Sequence, residues 1–145
     1  MKKFLYLCLV IAGIAVLASC KSQKAVVASF SDLDGEWTVV ELNGNKLTDS
    51  KQLIVIDAAR KHLSGNAGCN RMTGNIEYSD AQKNIIKFPQ VATTRMACLE
   101  PNNEQEFLQA LNKVVRFQAE GTVKPIDTIV LYGTDNSKLM VIQKK

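Results

Sequence analysis

Histidine occurs once in this 145-residue chain, as His62, tryptophan once, as Trp37, and proline three times. A single imidazole excludes metal centres built on several histidines and leaves His62 as the sole imidazole base. Ser64 and Asp57 lie near it in sequence, but neighbours along a strand do not by themselves build a catalytic triad. The acids Glu36, Glu41, Asp49, Glu77 and Asp80 fall into no paired-carboxylate motif. No Cys-x-x-Cys pair is present, which removes the usual signature of zinc ribbons and thioredoxin-like redox sites. Charge of one sign is scarce as well. The formal net charge is +4, and without Lys2 and Lys3 sixteen basic side chains face fourteen acidic ones. Lys46, Arg60, Arg71, Arg95 and Arg116 are spread along the chain, so nucleic acid is not an expected partner. The chain reads as non-enzymatic, with no catalytic residue, no metal ligand set and no cofactor.

Long apolar runs are also missing. The longest, residues 4–18, follows Met1-Lys2-Lys3 and is shorter than the about 20 residues of a membrane span. It has the charged start, apolar centre and small-residue end of a secretory signal. Its last four residues, Leu17-Ala18-Ser19-Cys20, resemble the lipobox of bacterial lipoproteins, which implies cleavage before Cys20 and acylation of that residue. Several acyl chains on one residue hold a protein firmly where one alone binds only marginally. The expected organisation is a signal over residues 1–19, a lipidated tether over 20–31 and a single domain over 32–145. The expected location is the cell envelope, with the membrane as partner through the N-terminal lipid. Lys21 and the lack of an acidic run after Cys20 point to the outer membrane, facing the periplasm.

Of four cysteines, Cys8 leaves with the signal and Cys20 takes lipid, so Cys69 and Cys98 remain as a pair in an exported, disulfide-permissive compartment. A disulfide is the expected state. Closing the 29-residue separation between Cys69 and Cys98 stabilises a fold by about 3 to 4 kcal/mol in the chain-entropy model. A nucleophilic thiol or a metal site is the sharper alternative.

The mature chain is rich in short β-branched runs. Residues 37–42 read as a strand entering a hairpin at Asn43-Gly44-Asn45, and 53–56 as a second strand. The glycine-rich stretch 63–75 lacks the helix start and Lys-Ser or Lys-Thr of a phosphate loop, so its glycines read as bulges or close backbone approaches. Residues 75–78 and 84–88 alternate like strands, and 91–96 extend the second of these or return beside it. One helix is expected from about Asn103 to Gln118, with Phe107, Leu108, Leu111, Val114 and Val115 on one face and Glu104 and Glu106 at its start. Residues 128–132 and 138–142 flank a turn-rich linker as a closing hairpin. The fold class is therefore mainly β (α+β): about seven or eight antiparallel strands in a strongly curled sheet, forming an incomplete barrel around one helix.

Three blocks, Gly68-Cys69-Asn70-Arg71-Met72-Thr73-Gly74, Thr93-Thr94-Arg95-Met96-Ala97-Cys98 and the run 103–111, resemble in order and spacing the signatures of the META (HslJ-like) domain. The resemblance covers about residues 33–142. It implies a compact antiparallel sheet with a helix, in bacterial envelope proteins associated with heat stress, motility or virulence, and it implies no established reaction. The family's two cysteines fall on Cys69 and Cys98. Asn70, Arg71, Thr94 and Arg95 accompany them, either as hydrogen-bond partners for turn backbone or as a shallow surface for an anionic or peptide ligand. The leading functional expectation is an envelope lipoprotein that binds or protects another envelope component. Alternatives are an inhibitor of a lytic enzyme or protease, and a carrier of lipid or small hydrophobes lined by Phe88, Phe107, Phe117, Leu111 and Ile129.

Overall fold

Asn43 and Gly44 both hold positive φ, 48° and 85°, the backbone that a tight hairpin turn requires and that Asn-Gly adopts at little cost. They join β1 (Gly35–Leu42) to β2 (Asn45–Lys46), where the sequence predicts a hairpin. The computed structural model describes residues 26–98 and 102–145. Cys20 and the signal-like segment lie outside the described residues.

After β2 come β3 (Leu53–Asp57), β4 (His62–Asn66) and β5 (Arg71–Asn75), each antiparallel to the one before from β3 onward. Short pieces follow, β6 (Glu77–Tyr78), β7 (Ile86–Lys87) and β8 (Ala92–Thr93). Helix α1 (Glu104–Lys113) precedes β9 (Arg116–Ala119), β10 (Thr128–Tyr132) and β11 (Lys138–Lys144). The main sheet runs β8-β5-β4-β3-β1-β11-β10-β9, with β2 on β1 as its ninth strand, and β6 pairs β7 in a separate ribbon.

The expected incomplete barrel of seven or eight strands is corrected on both counts. The described residues form eleven strands, and the nine-stranded sheet is open, with β8 and β9 as edges that no ladder joins. β8 is two residues long and pairs only with β5 among the described residues. The outer side of β9 makes only an isolated bridge, Arg116 to Ile85 beside β7.

The helix is shorter than expected. It ends at Lys113, and Val114 is already extended. Residues 116–119 leave the helix because Phe117 and Ala119 alternate with Arg116 and Gln118 and pair with β10. β-branched Val114 and Val115 favour that switch. The glycine-rich stretch yields β4 and β5, and Gly65 is its close-approach residue. At φ +146°, a Cβ there would lie 2.0 Å from the Leu53 carbonyl oxygen.

One core gathers Trp37, Ile54, Leu63, Phe88, Phe107, Leu111, Phe117, Ile129, Met140 and Ile142. Trp37 is fully buried and its indole Nε1 donates to the Leu33 carbonyl at 2.7 Å, which removes the cost of burying that N–H. Full burial of each such side chain contributes about 1.5 to 3 kcal/mol. Helix α1 adds Phe107, Ala110 and Leu111 from one face, and Asn43 Nδ2 donates to Glu106 Oε1 at 2.9 Å, so the helix start sits at the Leu42 end of β1.

Candidate functional site

The turn between β4 and β5 reverses the chain over four residues, closed by a 2.8 Å bond from the Ala67 amide to the Asn70 carbonyl. That geometry turns the amides of Cys69 and Asn70 away from the sheet. Both donate to Glu104 Oε2, at 3.0 and 2.7 Å. Glu104 is the first residue of α1, where the helix dipole also favours a carboxylate. Burial alone would push this carboxyl up, but the amide and side chain of Asn70 and the amide of Cys69 together hold it below the usual carboxylate range.

Asn70 is buried, and its side chain spans three segments. Nδ2 donates to Glu104 Oε1 at 2.8 Å and lies 3.8 Å from Cys98 Sγ. Oδ1 accepts from the Thr94 hydroxyl at 2.9 Å and from the Met96 amide at 2.7 Å. The Thr94 oxygen in turn accepts from the Arg71 amide at 3.1 Å. Cys69 and Cys98 are joined by a disulfide with Cα atoms 6.1 Å apart, inside the ordinary range for such bonds. Turn, loop 94–98 and helix start thus form one covalently and polar-bonded unit.

Within this unit the four polar residues divide. Asn70 and Thr94 satisfy backbone groups. Arg71 and Arg95 are exposed, and neither guanidinium has a hydrogen-bond or ion-pair partner among the described residues. Met96 is 58% exposed on the same loop. Beside the disulfide lies an open groove of about 550 Å³, walled by residues 47–52 on one side and Cys69, Cys98, Asn102 and Asn103 on the other.

Cys69, Cys98 and Glu104 bring three potential metal-donor atoms within 4.8 Å of one another. The two sulfurs are bonded to each other and both carboxylate oxygens already accept hydrogen bonds, so the set is committed to the fold. At the opposite end of β4, His62 Nε2 lies 3.0 Å from the Thr73 hydroxyl, not from Ser64, and Asp57 accepts from the Arg60 amide and guanidinium. Phe88, Phe107, Phe117, Leu111 and Ile129, the side chains that would line a carrier cavity, are each at most 2% exposed within the core.

A family model of the META domain matches residues 30–145. The chain belongs to the META-domain family. Two solved structures are similar to this META domain in fold. A protein from Burkholderia xenovorans, solved by NMR, is 22% identical with a TM-score of 0.58, over 89% of this chain and 99% of that one. A crystal structure of a DUF4847 family protein from Bacteroides vulgatus is 13% identical with a TM-score of 0.54, over 78% of this chain and 94% of that one. No curated protein matches the chain.

The three sequence blocks that carry the META resemblance meet at one place: the first brings Cys69 and Asn70, the second Thr94, Met96 and Cys98, the third Glu104. Glu104 is the member that sequence reasoning assigned only to the helix dipole. The signal for its second role is local. A tight turn leaves amides without strand partners, and such donors need an acceptor.

Proposed function

We propose that this META domain is a non-enzymatic, lipid-anchored envelope protein whose disulfide-bearing end binds another envelope component. The observation that carries the proposal is the contrast within the disulfide unit: Asn70 holds the Thr94 hydroxyl and the Met96 amide from inside, while Arg71, Arg95 and Met96 have exposed side chains. A preorganised loop loses little entropy on binding. Two exposed guanidiniums beside an exposed thioether suit an acidic peptide segment of a partner protein, since Arg pairs with carboxylates in bidentate fashion and Met adapts to apolar side chains. Anchoring through Cys20, in the outer membrane facing the periplasm, is part of the same reading and is supported by the lipobox-like sequence.

Charge reversal tests it. Combining R71E with R95E should abolish envelope crosslinks made by the anchored wild-type protein and leave the thermal midpoint within about 2 °C, because exposed substitutions seldom change stability by more than about 0.5 kcal/mol. Unchanged crosslinks in a folded double variant would overturn the assignment of this face.

A further inference from the structure

Chain entry and the disulfide unit sit at opposite ends of the sheet. The Val26 amide donates to the Gly121 carbonyl at 3.3 Å, and Lys124 pairs with Asp32 at 3.1 Å. These bonds fasten the N-terminal entry to the β9–β10 loop, at the Gly35 end of β1, where the Lys145 amide also donates to the Glu36 carbonyl. The disulfide unit lies at the other end, since Glu104 and Glu106 occupy the same helical turn and Glu106 bonds Asn43, just past Leu42.

Lengths then decide orientation. Cys20 precedes Val26 by six residues, which span at most about 20 Å when fully extended. The eight residues of β1 alone span about 25 Å. A tether that short does not carry the disulfide end round to the surface in which the anchor is held. The entry end also displays apolar side chains: Val27 is 79% and Val123 77% exposed, and they flank the Val26–Gly121 bond.

Resting on the lipid-anchor reading of Cys20, we propose that Val27 and Val123 form a membrane-contacting face, seated on the phospholipid surface, so that Arg71, Arg95 and Met96 point away from the bilayer. Two valines would not hold a free protein on a membrane. With the anchor already embedded, the tether supplies a high local concentration, and a weak contact suffices to set the orientation.

Protein purified from bacteria expressing the whole 145-residue chain and reconstituted in phosphatidylethanolamine–phosphatidylglycerol vesicles with brominated acyl chains provides the test, using V123W and M96W variants with the constant signal of buried Trp37 subtracted. The expected result is at least twofold quenching with a blue shift for V123W and no quenching for M96W. Flotation with the vesicles without selective quenching of V123W would overturn the orientation while leaving the anchor in place. Failure to float, with an unmodified Cys20 by mass measurement, would overturn the anchor reading and the orientation with it.

Discussion

Glu104 accepts hydrogen bonds from the amides of Cys69 and Asn70, 35 and 34 residues earlier in the chain. This contact joins the helix start to a turn of the sheet by a charge on one side and fixed donors on the other. Its strength should therefore be measurable by removing charge and shape separately. E104Q keeps an acceptor but loses the charge-assisted bonds and is expected to cost about 1 to 2 kcal/mol. N70A strips partners from Glu104, Thr94 and the Met96 amide together and should cost about 3 kcal/mol. Urea denaturation of both variants checks the order. A loss for N70A no larger than for E104Q would show that Asn70 is not the hub.

Acid should weaken the same contact. The folded-state pKa of Glu104 lies below its ordinary value despite burial, because the Asn70 and Cys69 donors prefer the charged form. Its contribution is thus complete above the unfolded carboxylate pKa of about 4.3 and is lost as pH falls through the folded value. Asp32 behaves alike: the Ser29 hydroxyl and amide, opposed by burial and helped by Lys124, lower it from 3.8 to about 2. The stability gap between wild type and E104Q is expected to be constant from about pH 5 to pH 7 and to narrow below about pH 4. Thermal midpoints across that range read it directly, and a gap that widens in acid would contradict the sign.

Loss of the disulfide should cost about 3 to 4 kcal/mol through the unfolded chain, yet leave the turn recognisable. The hydrogen bonds from Asn70 to Thr94, Met96 and Glu104 span the same segments as the covalent link. The C69S, C98S double variant is expected to melt lower but to retain the amide chemical shifts of Asn70 and Met96. Dispersal of those resonances into random-coil positions would assign the loop's order to the sulfur bridge alone.

Gly65 offers a steric test. G65A places a methyl 2.0 Å from the Leu53 carbonyl oxygen at a φ of +146°, so the β3–β4 ladder must shift. A loss of 3 kcal/mol or more, about what strained backbone and a broken ladder together cost, is expected in a denaturation curve. Exposed Gly121, whose added Cβ would meet nothing within 4 Å, should lose less on the same change despite its positive φ.

Much of this architecture is legible in local sequence. Asn43-Gly44 marks a hairpin, the 128–132 and 138–142 runs mark β10 and β11, and Phe107 and Leu111 are buried from a helix whose start falls within one residue of expectation, whereas expected Leu108 is only half-buried and Ala110, not expected there, is buried. The helix end was obscured because Val114 and Phe117 continue the apolar spacing of the helix while also fitting an alternating strand, and only pairing with β10 selects the latter. Sheet closure was not legible either. It depends on whether two-residue β8 and the bridged edge of β9 find partners, and no local propensity reports that. At the site, the cysteines and Asn70 were visible as a polar cluster, but the Glu104 contact joins residues 35 apart and follows from turn geometry rather than from residue type.

The pairing of β1 with β11 at the centre of the sheet brings Trp37 opposite Lys144. These strands bracket the domain, so its middle ladder has no second half until the last residues have been delivered. A chain threaded across a membrane from its N-terminus would stay unfolded throughout transit and complete its sheet only on release. Trimming even the final strand should leave a product that never acquires protease resistance.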